Sequence, residues 1–533
     1  MTESPTCQNA QADPAICNPA YDESAQNSIQ YMNLDFESIL PNPTSIDAAK
    51  TSPPNLSKLD SPYDWSPGHK SFITWVSCIA TLFASFAASC FSPGAEQMAS
   101  EWHISKVSAL VGITTFCCGF AVGPMFLAPF SELVGRKPVF VATAILLLVC
   151  HVCCGVTRLY SGMLVARFFA GIGGSTFSTM VGGIIADIYK PSDRNAPMTL
   201  FSAGALFGTG LGPLVCGFIG QYTTWRWIFY LQIIIAALIS VAVILFFRET
   251  RSTVVLRSKA AKLNKWYEQL EAAGYGVQFD ASDSSTKEAP FRIRWKIAGD
   301  DERPSLVENL KVSLSRPFLM LFTEPVVFFF SLWAAFSWSV LYINLSILPL
   351  VFQKAYGLSL SEANSVFTAS CTGSLLAMVL SIVQDKAASR RKGWNSVPEH
   401  RLYFSCIEST LLPIGLFLFG WTSQYQVHWI VPAIAVGIST IGIFAVYLAV
   451  FNYLADTYHR YASSALAAQS FCRNMMGGVF PLVSSQMFNN LGFGPAASLL
   501  GGIGAALTLV PWLLVFFGPH IRARSKMASE IMS

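Results

Sequence analysis

Residues 123–138 read GPMFLAPFSELVGRKP, a short charged turn between two long apolar stretches. Gly135 permits a sharp turn between two helices, because glycine adopts backbone conformations closed to other residues. Glu132 can pair with Arg136 or Lys137, and charges that meet in one conformation and separate in another form a latch. The alternative is an ordinary loop whose basic residues only mark one side of the molecule. Because the whole string is more specific than such a loop, we interpret it as a conformational latch.

The composition surrounding this turn is that of a membrane protein. The chain has 533 residues, of which 53% are hydrophobic and only 12% are charged. Soluble domains carry about 25% charged residues, so this chain has too few charges to cover a surface that faces water. Lipid is the solvent in which such a composition is stable, and helices are the structure that such a sequence forms there.

Twelve apolar stretches are long enough to cross a bilayer, which takes about 20 helical residues. A polar stretch from Arg248 to about Glu324 divides them six and six. The predicted spans are Ser71–Ser92, Val107–Phe130, Pro138–Val156, Tyr160–Ile188, Ala196–Ile219, Trp227–Phe247, Val326–Phe352, Ala363–Val383, Leu402–Trp421, Val427–Leu454, Ala462–Phe488 and Pro495–Phe517.

This division predicts five regions along the chain. Residues 71–247 and 326–517 are expected to form two six-helix bundles. Residues 1–70, rich in Pro, Ser, Asn and acidic residues, are expected to be a disordered tail. Residues 248–325 form a central loop, in which Lys259–Ala272 is either a surface helix or a loosely ordered linker. Residues 518–533 form a second tail.

The distribution of Lys and Arg predicts the orientation in the membrane. With the N-terminus in the cytosol, the cytosolic loops and C-terminal tail carry thirteen of these residues, even without the central loop. The opposite loops carry only four, namely Lys106, Arg158, Arg226 and Lys354. Both termini are therefore expected to be cytosolic, most simply at the plasma membrane.

A faint internal repeat supports a structure of two related halves. Asp385 and Lys386, followed by Arg390 and Arg391, come after the eighth span, as Glu132 and its basic neighbours come after the second. Transporters are often built from such repeats, with the substrate site at the interface between them. Asp385 is thus a second candidate for the latch.

Two further strings lie within spans. Arg167 opens the string RFFAGIGG in the fourth span, where a charge is costly unless it faces the protein interior or a wet cavity. The alternative is an arginine that is satisfied by backbone carbonyls. In the fifth span, Gly204, Gly208 and Gly212 recur every four residues and form a smooth stripe against which another helix can pack. We expect this contact to close a leak path between the two halves, and Pro213 permits a bend.

These three strings resemble the loop, fourth-span and fifth-span signatures of the major facilitator superfamily, in its twelve-helix drug:proton antiporter branch of fungal type. The resemblance runs from about Pro67 to Ser525. Cys216 departs from it, because the fifth-span signature usually has glycine there. Further matches lie at residues 186–194, 225–229, 453–458, 463–467 and 473–482.

The resemblance implies an all-α fold of two six-helix bundles related by a pseudo-two-fold axis. It also implies roles for the residues that match. Arg167 would take part in proton coupling. The cytosolic gate would comprise Glu132, Gly135, Arg136, Lys137 and Asp385. The antiporter motif would comprise Gly204, Gly208, Gly212, Pro213 and Gly217.

A candidate substrate cavity comes from the seventh and eleventh spans. Its members are aromatic, amphipathic or charged: Trp333, Trp338, Tyr342, Asn344 and Arg473. The alternative is that the aromatic residues face lipid. Glu408 is the only carboxylate clearly inside a span, and we interpret it as part of a structural pair. Because a polyamine would need several acidic partners, a neutral or weakly charged apolar substrate is favoured.

The favoured function is therefore proton-coupled export of small organic molecules such as toxins, secondary metabolites or drugs. A polyamine exporter and a proton-coupled importer of the same fold remain alternatives. An enzyme is disfavoured because no nucleophile–base pair stands out, and a receptor because no signalling domain is evident. The 13 cysteines are interpreted as packing residues. We expect no cofactor, no metal and no nucleic-acid partner, and a monomer in the lipid bilayer.

Overall fold

The computed structural model describes residues 29–43, 53–57, 59–190, 193–272, 277–278, 292–298, 306–389, 402–458 and 461–524. Arg390 and Arg391, which belong to the predicted repeat, lie outside these ranges, as do four other basic residues counted for the orientation: Lys392, Arg401, Arg460 and Lys526. The described residues divide into two compact units. The larger contains residues 61–254 and those from 304 onward, and the smaller combines residues before 61 with residues 255–303.

The first half of the larger unit contains six apolar spans. A 3₁₀ turn at Pro62–Asp64 precedes them, and a second at Ser92–Gly94 lies within the first span. Ser66 and Ser105 cap two of the helices by accepting backbone N–H groups on their hydroxyl oxygens. The helices are α1 (Pro67–Ser89), α2 (Ala95–Trp102), α3 (Lys106–Val134), α4 (Arg136–Val156), α5 (Tyr160–Thr179), α6 (Val181–Ile188), α7 (Asn195–Tyr222) and α8 (Arg226–Phe246).

The second half repeats this organisation after the central loop. Helix α9 (Ser252–Ala272) of the smaller unit confirms a helix where the sequence left the choice open. The helices that follow are α10 (Leu306–Thr323), α11 (Pro325–Tyr356), α12 (Leu360–Ser365), α13 (Phe367–Ser389), α14 (Leu402–Glu408), α15 (Leu411–Gln424), α16 (Ile430–Tyr458), α17 (Ala462–Leu491), α18 (Phe493–Leu507) and α19 (Leu509–Arg524). Helix α10 packs on α3 and α17, so this part of the central loop belongs to the bundle.

The same pairs of spans pack together in both halves. In the first half α1 packs on α7, α3 on α5 and α4 on α8; in the second, α11 packs on α17, α13 on α16 and α15 on α18. These are spans 1 and 5, 2 and 4, and 3 and 6 of each half. The recurrence is what a pseudo-two-fold axis requires. The halves meet where α3 packs on α17 and α7 packs on α13.

Within the described residues, eleven helical segments are long and apolar enough to cross a membrane. The predicted span that is not among the eleven is the eleventh in chain order, α17, which has 30 residues. Its buried Gln469, Arg473 and Asn474 explain its lower hydropathy. Because α17 packs between α11 and α3, these polar residues face protein rather than lipid.

The smaller unit corrects the prediction of a tail disordered up to residue 70. Strand β1 (Ile29–Asn33) pairs in parallel with β4 (Arg292–Lys296), and β2 (Asn42–Pro43) pairs with β3 (Val277–Gln278). Their core contains buried residues of the tail, helix α9 and β4: Leu34, Leu263, Tyr267, Leu270, Ile293 and Trp295. The prediction is wrong for residues 29–43. Strand β1 in this segment pairs with a strand more than 250 residues away, and the composition of the tail does not reveal that partner.

Candidate functional site

The turn between α3 and α4 lies at the end of the bundle at which α1 begins, which we call the proximal end. Gly135 has a φ of +116°, a conformation that favours glycine. A Cβ at this position would also collide with the Glu249 carboxylate. Glu249 accepts hydrogen bonds from the backbone N–H groups of Arg136 (2.9 Å) and Lys137 (3.0 Å). It therefore caps α4, a role that the sequence analysis did not anticipate.

The Arg136 side chain is buried and pairs mainly with Asp187 at the end of α6. Its Nε lies 3.2 Å from Asp187 Oδ2, and its Nη1 donates to Ser131 Oγ at 2.8 Å. Arg251 reaches the other Asp187 oxygen at 3.4 Å. The predicted partner Glu132 is 4.0 Å from Arg136 and its side chain is 43% exposed. The predicted latch residue Arg136 thus belongs to a cluster with buried Asp187 and partly exposed Arg251, and Glu132 lies at its edge. Its role as a latch stays a prediction.

The second-half counterpart of this latch is only partly described. Asp385 lies exposed near the end of α13, at the proximal end of the bundle. The basic residues that complete the repeat, Arg390 and Arg391, lie outside the described ranges. The proposed role of Asp385 in the gate therefore remains a prediction.

Arg167 is wholly buried inside the first half. Its guanidinium donates to the backbone oxygens of Gly112 (3.2 Å), Ala87 (2.9 Å) and Ala88 (3.4 Å). The rings of Phe91 and Phe116 lie 4.8 and 4.4 Å from its central carbon. Within the described residues it forms no ion pair, so in this conformation carbonyl groups of α1 and α3 satisfy it. Its part in proton coupling stays a prediction.

The glycine stripe of α7 packs on α1 of the same half, which corrects the expectation that it closes a path between the halves. A Cβ at Gly208 would overlap the Leu82 carbonyl oxygen, and one at Gly212 would overlap the Ser89 hydroxyl. A Cβ at Gly204 would lie 3.4 Å from the Cys78 oxygen, in ordinary contact. Periodicity alone showed that the three residues share a face, but not which neighbour that face meets.

Other small residues make the contacts between the halves. A Cβ at Gly217 would lie 2.5 Å from the Cβ of Asn364 in α12. Pro213 is buried inside α7, four residues before Gly217. At the second interface, Thr114 of α3 donates its hydroxyl to the Gly478 oxygen of α17 at 2.7 Å. Gly217 is therefore the member of the predicted antiporter motif that faces the other half.

Near the middle of α17, the Arg473 guanidinium packs against two aromatic rings. Its central guanidinium carbon lies 4.4 Å from the centre of the Trp338 ring and 4.9 Å from that of Tyr447. The two rings stack with centroids 5.5 Å apart, and Tyr342 lies beside Trp338. The Tyr342 hydroxyl lies beside the Cys117 thiol of α3, so this aromatic–arginine cluster reaches the boundary between the halves. Tyr447 is a member that the sequence analysis missed.

Two predicted cavity residues lie apart from this cluster. Trp333 is fully buried and stacks on Phe330, in a core that includes Tyr453 and residues of α10. Asn344 is buried and forms no side-chain hydrogen bond with the described residues. The structure therefore brings together Trp338, Tyr342 and Arg473 but not Trp333.

A cavity of about 160 Å³ opens at the distal end, opposite the proximal end. It lies between the first and second spans on one side and the seventh and eleventh on the other. Its polar lining includes Ser92, Lys106, Gln353, Ser485 and Asn489. Both halves contribute to this cavity, as they do to the aromatic–arginine cluster.

Comparison with known proteins supports the fold. The sequence profile of the Major Facilitator Superfamily matches residues 77–481, about three quarters of the chain. The chain belongs to the major facilitator superfamily. It is accordingly a multi-pass membrane protein with the fold of the superfamily's transporters.

Several members of the superfamily resemble the chain over most of its length. It is 34% identical to an MFS-type efflux pump of Trichophyton rubrum over 88% of this chain and 76% of that protein. It is 31% identical to a multidrug transporter of Candida glabrata over 88% of this chain and 78% of that one. An MFS-type transporter of Penicillium rubens is 33% identical over 88% and 82% of the two chains.

Solved structures of the superfamily match the fold at low sequence identity. The proton:xylose symporter XylE superposes with a TM-score of 0.58 at 16% identity, covering 85% of this chain and 97% of that one. The human organic anion transporter MFSD10 superposes with a TM-score of 0.52 at 15% identity, covering 84% and 100%. At these identities the likeness shows the fold alone.

Proposed function

We propose that this chain exports small organic molecules, such as toxins, secondary metabolites or drugs, in exchange for protons. The observation that carries the proposal is its similarity, along 88% of its length, to proteins named as an efflux pump and a multidrug transporter. The chain acts as a carrier and not as an enzyme. It works as a monomer in the plasma membrane, with both termini and the central loop in the cytosol.

The geometry supplies the parts that such a carrier needs. The aromatic–arginine cluster lies near the middle of the spans, at the boundary between the halves, where transporters of this architecture bind substrate. The distal cavity would be the outward exit. In the Arg136–Asp187–Arg251 cluster a buried ion pair is joined by a partly exposed arginine. The cluster would lie at the cytosolic end, and its separation and re-formation would accompany opening and closing on that side.

Of the alternatives, polyamine export fits the centre less well. A polycation would be repelled by Arg473, which is buried and which no carboxylate among the described residues contacts. Proton-coupled import differs from the proposed export in the direction in which the substrate moves, which a vesicle experiment measures.

Inverted plasma-membrane vesicles from yeast that express the chain would test the proposal. The probes are rhodamine 6G, fluconazole, spermidine and 1-naphthoate, with a proton gradient acid inside. We expect gradient-dependent accumulation of at least one probe, abolished by a protonophore and absent from vesicles without the chain. Accumulation only in right-side-out vesicles would indicate an importer, and accumulation of none would contradict the proposal.

A further inference from the structure

The further inference concerns the chemical class of the substrate and rests on the proposed export function. We propose that the substrate is an organic anion, a flat apolar molecule with a carboxylate or similar acidic group, and that Arg473 pairs with that group. This narrows the neutral or weakly charged apolar substrate that the sequence favoured to an acidic one. Two hydrogen-bond donors in the aromatic–arginine cluster have no acceptor among the described residues.

Arg473 is only 2% exposed and stays charged, since a guanidinium is not deprotonated in proteins. A guanidinium carries five N–H donors and no acceptor. Arg473 forms no hydrogen bond and no ion pair with any described residue, and its Nε is fully buried without a partner. Its contacts are the faces of Trp338 and Tyr447, which attract the charge but accept no conventional hydrogen bond.

A second donor in the same cluster is also unmatched. The indole Nε1 of Trp338 is buried and has no hydrogen-bond partner. Other buried side-chain atoms of the described residues also lack a hydrogen-bond partner, but here a buried guanidinium and the indole that it contacts at 4.4 Å both lack acceptors. Because buried polar groups are usually hydrogen-bonded, two unmatched donors in one cluster need a cause. Both are donors, and a ligand that satisfies them must therefore bring acceptors.

Arg167 provides an internal comparison. It is equally buried and likewise lies between two aromatic rings, but three backbone oxygens accept its hydrogen bonds. The protein thus satisfies one buried arginine with its own atoms and leaves the other without acceptors. A purely structural arginine would be expected to resemble Arg167.

No carboxylate of the described residues pairs with Arg473, and three in or beside the spans have other partners. Asp187 pairs with Arg136 and Arg251 at the proximal end. Glu324 accepts a hydrogen bond from the Tyr458 hydroxyl, and Glu408 accepts one from the Gln384 amide. None of them contacts Arg473, so an acidic group at the centre has to come from the substrate.

The surroundings of Arg473 define the rest of that substrate. Trp338, Tyr342 and Tyr447 make the surroundings of Arg473 aromatic, which favours a planar apolar body in the substrate. A Cβ at Gly477 would lie 3.0 Å from the Trp338 ring, so glycine there keeps the helix backbone close to the aromatic residues. A carboxylate on a flat hydrocarbon matches both the unmatched donors and the aromatic surface.

Binding of matched acid and amide probes to the purified full chain in detergent tests this proposal. The probes are 1-naphthoate and its uncharged counterpart 1-naphthamide, measured by isothermal titration calorimetry at pH 7. We expect at least a tenfold preference for naphthoate. Arg473→Gln should abolish the preference, and Arg473→Lys, which keeps the charge but not the planar fork, should retain part of it.

Equal affinities for the two probes, or no binding of either at millimolar concentration, would overturn the proposal. So would an Arg473→Gln protein that elutes as a folded monomer and still prefers naphthoate. If that variant does not fold, the two wild-type affinities still decide. The vesicle experiment is independent of this one. Gradient-driven export of rhodamine 6G or fluconazole, together with no binding preference for naphthoate, would support the proposed export function and contradict only the proposal of an anionic substrate.

Discussion

At the scale of single residues, the two buried arginines show how context determines the role of the same side chain. A charged group at the centre of a span costs about 2.5–3.5 kcal/mol on insertion scales, so each must have a reason to remain. Arg167 ties α1 and α3 together through three carbonyl oxygens. Arg473 binds no oxygen of the described residues and lies on aromatic faces. The first arrangement suits a structural role, and the second suits the proposed anion site.

Replacing Arg167 with alanine separates its structural and coupling roles. Because the family resemblance implies a part for Arg167 in proton coupling, we expect Arg167→Ala to abolish gradient-driven efflux at matched membrane abundance. Substrate counterflow, which needs no net proton movement, should persist. Loss of both activities in a folded protein would assign Arg167 a structural role alone, and unaltered efflux would remove it from the mechanism.

The Arg136–Asp187–Arg251 cluster gives a second prediction. Asp187→Asn leaves Arg136 buried without its main counter-charge, and breaking a buried pair costs about 3–5 kcal/mol. We expect a lower apparent melting temperature and reduced efflux. Glu132→Gln is the matched control, since it removes a half-exposed partner 4.0 Å away and should cost about 1 kcal/mol or less. Equal effects of the two variants would show that Asp187 is not the main partner.

At the scale of helices, the contact between α1 and α7 depends on two glycines. A methyl group at Gly208 would overlap the Leu82 carbonyl oxygen, and a backbone atom cannot move aside cheaply. Overpacking of this kind costs about 1–3 kcal/mol. We therefore expect Gly208→Ala to lower thermal stability and efflux, measured on purified protein and in vesicles. Alanine is sufficient for this test, because its Cβ alone would make the contact.

Gly204→Ala is the control on the same stripe. A Cβ at Gly204 would lie 3.4 Å from its nearest neighbour, the Cys78 oxygen, so stability and efflux should stay near wild type. Gly220 makes a poorer control, because a Cβ there would lie 3.0 Å from the Pro93 oxygen. If Gly204→Ala were as damaging as Gly208→Ala, close packing on α1 would not be the property that the stripe provides.

At the scale of the whole molecule, the charge asymmetry of the loops predicts cytosolic termini. Epitope tags at either end should resist protease added to intact spheroplasts, because the membrane shields them. A tag inserted at Arg158, in the exposed turn between α4 and α5, should be cleaved. Cleavage of only one terminal tag would contradict the even number of spans, and protection of the inserted tag would reverse the orientation.

The sequence by itself determined the membrane environment, the two halves, nearly all of the spans and the family. These follow from the length and spacing of the apolar stretches, because each stretch can be recognised from its own composition. Arg167 and the turn at Gly135 were also evident, since a charge within a span and a glycine between two helices stand out locally. The span α17 was the hardest to recognise from hydropathy, because it contains polar residues. Those residues are buried against helices that are distant in the sequence.

Only the tertiary structure decided which residues meet. It gave Arg136 its partner Asp187, turned the glycine stripe toward α1, separated Trp333 from Trp338 and added Tyr447 to the cluster around Arg473. It also paired β1 with β4 across more than 250 residues. The physical reason is common to all five: periodicity fixes the face of a helix or strand on which a residue lies, but the partner of that face depends on packing between distant segments.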